Sequence, residues 1–287
     1  KLINRINTNL ISRGVLLPGA PNFVTLFANN LNWKVRNFNV WTYIWRTDFV
    51  CYYNGSLNDY MNLLLVTILP SLLIIIFFVR SDKFPEPTSS IIKIFCYGIL
   101  ITIPAFIINT YLGDFFSKLN ISENLIVSFL TAAPVEESLK FFILYYVVYK
   151  MKEFDEPTDG MVYGVVVSLG FATLENIYYV YVLKDYFETT SMTLAVVRSF
   201  SAIPAHALFG AFMGYYFMKY TFISKKNNLF LCFFIPFLLH GFYNYLVVSN
   251  FLLVLVLLII FWIIALRIFN NLKKSQTKKK VEFEKKI

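Results

Sequence analysis

Charge is scarce in this chain. Asp, Glu, Lys and Arg make up 15% of its 287 residues while hydrophobic types reach 57%, against roughly 25% charged residues in ordinary soluble domains. A soluble core of this size would interleave polar residues at helical or strand period, and that pattern is missing. Histidine is scarcer still, with two in the chain, and neither lies in an HExxH spacing. Cys51, Cys96 and Cys232 form no CxxC pair, which excludes a zinc knuckle or a disulfide framework and leaves them as packing residues. The net charge of +9 is not a nucleic-acid footprint, because the basic residues sit in short connections and a tail beside apolar runs, where they act as topology signals.

What is abundant is apolar sequence in lengths that approach the roughly 20 residues needed to cross a bilayer. Seven such segments occupy about 62–79, 91–112, 125–149, 161–183, 194–222, 229–248 and 251–268. The expected class is therefore all-α, a multi-pass transmembrane helix bundle in a cell membrane. One set of connections carries Arg80, Lys83, Lys93, Lys150, Lys152, Lys219, Lys225 and Lys226, and the C-terminal tail is dense in lysine. The opposite connections hold Lys118 and Lys184. The positive-inside rule then places the tail, 271–287, in the cytoplasm and the segment before the first span outside.

The chain divides on this reading into an N-terminal segment 1–60, a transmembrane domain 61–270 and the basic tail. The first segment has no cleavable signal pattern and carries Lys1, Arg5, Arg13, Lys34, Arg36 and Arg46 on the side expected to be external. Two readings of it stand side by side. Met61, directly before the first apolar run, marks the start of the mature protein, or the stretch around Trp41, Tyr43 and Trp45 is an extracytoplasmic or interfacial extension.

Several ionisable residues stand where lipid should forbid them. The third span reads LIVSFLTAAPVEESLKFFILYYVVY and sets Glu136, Glu137 and Lys140 near its middle, each at an insertion cost of at least about 2.5 kcal/mol. Glu136 and Lys140 are four apart and able to pair along one helix face, whereas Glu137 points about 100° away. Pro134 loosens the turn before them. The fourth span carries Glu175 and Asn176, with Phe171 one turn earlier as a wall. The fifth holds His206 in IPAHALFGAFMG, whose small residues at 207, 210, 211 and 214 permit close helix approach. The sixth holds His240 and Asn244 in IPFLLHGFYN. The tyrosine runs 145, 146, 149 and 178, 179, 181 read as interface anchors.

Depth supports convergence. At 1.5 Å per residue from the outer end of each span, Glu136 lies roughly 16 Å in, Glu175 roughly 12 Å, His206 roughly 18 Å and His240 roughly 12 Å. Helices of alternating direction thus bring these groups to one layer in the outer half of the bilayer, a polar site between spans three and six. Glutamates and histidines suffice for water activation, with Glu136 as base, Glu137 or His206 assisting, His240 and Asn244 steadying a carbonyl, and Lys140 balancing charge. A zinc site built from His206, His240 and Glu175 is the competing scheme. A proton-coupled transporter and a non-catalytic scaffold are the readings from other classes.

The ordered set PVEESLK, FATLE, HALFG and HGFYN, with RSDKFPEP at 80–87 and DGMVYG at 159–164, resembles the PrsW family of intramembrane proteases over about 62–250. That family is similar, more distantly, to the CAAX prenyl proteases, where the position of Glu175 is commonly His. The resemblance implies an intramembrane endopeptidase with Glu136, Glu137, Glu175, His206 and His240 at its catalytic site. It also implies a membrane-anchored, anti-sigma-factor-like substrate cut near its extracytoplasmic side in regulated proteolysis. No cofactor is favoured, and zinc is the alternative.

Overall fold

The computed structural model describes residues 57–284 apart from 120, 184–188 and 224–225, with side chains as far as Gln276. Most of the N-terminal segment therefore lies outside the described residues, as do the side chains of the tail beyond 276. Eight α-helices organise the rest: α1 (Leu57–Ser81), α2 (Thr88–Phe116), α3 (Ala133–Tyr146), α4 (Pro157–Tyr181), α5 (Ser191–Phe200), α6 (Ala202–Ile223), α7 (Asn227–Ser249) and α8 (Phe251–Glu284). Among the described residues there is no strand.

Six stretches are long and apolar enough to cross a membrane as helices, with α5 and α6 counted together as Ser191–Ile223. The third expected span is helical too, but composite. One α-turn at Glu123–Leu125 passes into a π-helical stretch, Ile126–Ala132, and only then into α3. Thr131 Oγ1 donates to the carbonyls of both Ile126 and Val127, a bifurcation that follows the widened turn. Because α3 enters with Pro134 in its first turn, the change of helix type falls where that ring denies the backbone a donor.

At the centre is α4, with 89% of its span buried, followed by the α5–α6 span at 72%; the other four spans are 17–28% buried and wrap around them. Apolar burial does not favour helix association within lipid as it does in water, so close backbone approach must supply the contact. Gly160 and Gly164 on α4 face Gly210 and Gly214 on α6, and a Cβ at Gly164 would come 2.2 Å from the Gly210 carbonyl oxygen. On the opposite side of α4, a Cβ at Gly170 would come 2.2 Å from the Phe95 carbonyl oxygen of α2. The small residues expected to let the fifth span approach a neighbour do so, against the fourth.

The last helix runs further than its apolar stretch. It continues past the expected boundary at 268–271, and Gln276 donates to Asp82 Oδ1 (3.2 Å), Glu156 Oε2 (2.5 Å) and Thr158 Oγ1. The start of the tail is thus tied to the loop after α1 and to the first turn of α4.

Candidate active site

Pro70 lies inside α1 and has no N–H, so the carbonyl of Val66 loses its intrahelical donor. Ser199 on α5 reaches the gap, its single hydroxyl proton shared between Val66 O at 2.9 Å and Ala195 O of its own helix at 2.7 Å. One residue on, Thr67 O accepts from Asn176 Nδ2 of α4 at 3.1 Å. These two bonds fix α4 and α5 against α1, and the charged side chains between them follow.

Arg198 on α5 donates from Nε to Asn176 Oδ1 (2.6 Å) and from Nη2 to Glu175 Oε2 (2.7 Å), with its guanidinium 3.7 Å from the centre of the Tyr179 ring. His206 Nε2 lies 3.0 Å from the same Glu175 oxygen, and His206 Nδ1 lies 3.2 Å from Lys140 Nζ. Lys140 also donates to Glu137 Oε1 at 2.7 Å, and that oxygen is 2.8 Å from His240 Nδ1. The line therefore runs Arg198, Glu175, His206, Lys140, Glu137, His240 across five helices.

Its ends and middle define the tautomers. An ammonium only donates and an ionised carboxylate only accepts. Lys140 must donate to His206 Nδ1, so the His206 proton is on Nε2 and is given to Glu175. Glu137 must accept from His240 Nδ1, so in the neutral ring His240 Nε2 carries a bare lone pair. That lone pair faces Glu136, whose Oε2 is 3.9 Å away. Glu136 Oε1 accepts from Asn109 Nδ2 of α2 at 3.3 Å, while Glu136 Oε2 is buried with no hydrogen-bond partner in the protein. Glu136, Glu137, Glu175, Lys140, His206 and His240 are all buried, and Glu137 and Lys140 are fully so.

The five expected catalytic residues are thus brought together. Phe171 is the expected wall, its ring centre 4.4 Å from Lys140 Nζ, and Phe209, which the sequence did not single out, stacks on His240 at 5.0 Å. The pairing of Lys140 differs from expectation. Its partner is Glu137, three residues before it, rather than Glu136 four before, because His206 and His240 draw the ammonium and the Glu137 carboxylate to the same side. Asn244 is half-buried and makes none of these contacts. Tyr179, expected as an interface anchor, lies under Arg198 instead.

Two contributors escaped the sequence reading. Asn109 is a neutral amide in a long apolar run and gave little signal. Arg198 gave a clear one, a guanidinium inside a span eight residues before a histidine, in the kind of position that marks function.

A metal would find three of these groups suitable. Ligand atoms of Glu136, His206 and His240 all lie within 4.8 Å of one another. The partnerless Glu136 Oε2 and the bare His240 Nε2 face each other, and Glu137 behind His240 is the carboxylate that orients a ligating imidazole. His206 would join by giving up one of its two hydrogen bonds. The carboxylate grouped with both imidazoles is Glu136, whereas the sequence pointed to Glu175, which is held by Arg198.

The fold and site define a multi-pass helical membrane protein with a buried carboxylate and imidazole centre. Residues 86–268 match the family model described as PrsW family intramembrane metalloprotease. The chain is 39% identical over 181 residues to Protease PrsW of Geobacillus kaustophilus, covering 61% of this chain and 74% of that one. It is 37% identical over 211 residues to Protease PrsW of Oceanobacillus iheyensis, covering 72% and 94%, and 36% identical over 187 residues to that of Bacillus subtilis, covering 63% and 81%. No solved structure matches. The chain belongs to the PrsW family of intramembrane proteases, and as a membrane protease it acts on membrane protein substrates within the bilayer.

Proposed function

We propose that this protease cuts a membrane-anchored, anti-sigma-factor-like protein near its extracytoplasmic side by direct attack of a water held between Glu136 and His240. The observation that carries the proposal is the pair of atoms facing each other 3.9 Å apart, Glu136 Oε2 without a hydrogen-bond partner and His240 Nε2, which is an acceptor in the neutral ring that Glu137 orients. A water about 2.8 Å from each would donate one proton to each at an angle of about 90°, close to its own geometry. Its remaining lone pairs are then free for the carbonyl carbon.

The carboxylate without a cation is Glu136. Lys140 offsets Glu137 and Arg198 offsets Glu175, so Glu136 is the base that takes the water proton as the carbon–oxygen bond forms. It returns that proton to the leaving amide nitrogen as the carbon–nitrogen bond breaks. Glu137 holds His240 in the accepting tautomer, and Asn244, one turn further along α7, offers its amide to the substrate carbonyl. The excess of Lys and Arg on the side of the tail supports a cytoplasmic C-terminus and an external N-terminal side. The site then stands in the outer half of the membrane.

The second reading rests on the grouping of Glu136, His206 and His240. Those residues would hold zinc, and the ion would supply Lewis-acid activation of water. Cleavage of a tagged single-span substrate by wild type, Glu136→Gln and His240→Ala tests hydrolysis itself, and undiminished cleavage in both variants would defeat it. Metal analysis beside chelation separates the schemes: stoichiometric zinc whose removal abolishes cleavage replaces the glutamate base with the metal. Sequencing the new terminus of the product places the cut relative to the membrane.

A further inference from the structure

Arg198 touches none of the atoms proposed to react, yet it is the one charged side chain that α5 contributes. Its bonds run to two consecutive residues of α4, and the Glu175 oxygen it holds at 2.7 Å is the one that receives the His206 proton at 3.0 Å. Behind it, Asn176 is anchored on Thr67 O and Ser199 on the Val66 carbonyl that Pro70 leaves free. The guanidinium is therefore gripped by three residues of α4, Glu175, Asn176 and Tyr179, and it closes the hydrogen-bonded line at the end opposite to His240.

Resting on the hydrolytic reading above, we infer that Arg198 is a positioning residue for the protease reaction: it fixes Glu175, which fixes the His206 tautomer and so leaves Lys140 in place to orient Glu137 and His240. The chain of dependence is directional. With the guanidinium gone, Glu175 loses its stronger partner and is free to turn away from His206. His206 can then move its proton to Nδ1, where it opposes the Lys140 ammonium instead of accepting from it. Lys140 is displaced, and with it the Glu137 carboxylate that defines which nitrogen of His240 is bare. A shift of about 1 Å propagated in this way costs on the order of 100-fold in rate. Arg198 makes its contacts with Glu175, Asn176 and Tyr179 and none with the Glu136–His240 gap, so the loss is expected to fall on kcat. A guanidinium differs here from an ammonium because two nitrogens are used in a fixed fork and the plane lies on Tyr179.

The test uses the purified full chain and a tagged single-span substrate, with Arg198→Ala, Arg198→Lys and Glu136→Gln assayed together. Arg198→Ala is expected to lower kcat about 100-fold with KM within about twofold, and added free guanidinium is expected to restore part of the lost rate. Arg198→Lys, which keeps the charge and loses the fork, is expected to lose about 10-fold in kcat without rescue by guanidinium. A kcat for Arg198→Lys equal to wild type, or for Arg198→Ala within threefold, overturns the positioning role while Glu136→Gln remains inactive. Cleavage by Glu136→Gln at the wild-type rate overturns the hydrolytic reading beneath it instead. Should Arg198→Ala fail to fold, Arg198→Lys decides alone.

Discussion

Replacing Lys140 by Met removes a cation from the least accessible part of the molecule. Lys140 and Glu137 are both fully buried, their charged atoms are 2.7 Å apart, and the next group on the ammonium is His206 Nδ1 at 3.2 Å. Methionine keeps most of the unbranched stem and gives up the ammonium together with its contact to the Phe171 ring, so the change removes the charge with little loss of volume. Removing one member of a buried ion pair costs about 3–5 kcal/mol because the other charge is stranded. A loss of about 4 kcal/mol is accordingly expected in reversible unfolding of the detergent-solubilised protein, followed through its tryptophans. Adding Glu137→Gln removes the stranded charge, and the double variant should recover to within about 1–2 kcal/mol of wild type. Adding Glu136→Gln to Lys140→Met should recover little, since Glu136 is not the partner. Neither double variant regains activity, because His206 has lost the donor to Nδ1. Two results would refute the reasoning: Lys140→Met within about 1 kcal/mol of wild type, or stability restored by the Glu136 change in place of the Glu137 change.

Histidine labelled with ¹⁵N should give two opposite neutral tautomers in the wild-type protein, His206 protonated at Nε2 and His240 at Nδ1, with single histidine variants assigning each; identical tautomers would break the deduced chain of donors and acceptors. Gly164→Leu should cost at least about 3 kcal/mol or abolish folding, as even a Cβ there would lie 2.2 Å from the Gly210 carbonyl, whereas Gly113→Ala, with nothing within 4 Å of the added carbon, should stabilise by about 0.5–1 kcal/mol in thermal melts. Glu86, in the loop between α1 and α2, has its pKa raised above the ordinary 4.5 mainly by burial, despite the 2.5 Å hydrogen bond it accepts from Tyr163. A raised folded-state pKa means stability that is full below the unfolded value and is lost as pH rises through the folded one. Glu86→Gln should therefore match wild type in melts below pH 4.5 and exceed it at neutral pH, and an unchanged pH slope would contradict this.

Much of this architecture was written in residue types. Apolar length announced the spans, and the costly residues Glu136, Glu137, Glu175, His206 and His240 pointed to the buried cluster they form, since burial of such groups is tolerated only where they meet each other. The small residues at 207, 210, 211 and 214 forecast a close helix contact without saying which helix they would face. What stayed hidden depended on geometry across helices. Lys140 lies near either glutamate by spacing alone, and the choice of Glu137 is made by imidazoles 66 and 103 residues away in sequence. The π-helical stretch before α3 alters the register by which spacing rules operate. Pro70 is visible as a helix residue without an N–H, but its use, a carbonyl offered to Ser199, depends on where α5 comes to rest.

The site's chemistry follows from an imbalance that packing enforces. Three carboxylates and two cations are enclosed together, and the two cations are each committed at 2.7 Å to a different carboxylate. Had Lys140 paired with Glu136, as spacing allowed, the unmatched acid would have been Glu137, fully buried against His240 Nδ1. Its pairing with Glu137 instead leaves the unmatched acid at Glu136, held from behind by Asn109 and open on one oxygen toward His240. The same pairing sets His240 with its proton turned away. In the proposed mechanism one ion pair thus determines both acceptors of the gap, and Lys140, although it need not touch a substrate, controls where water would be activated.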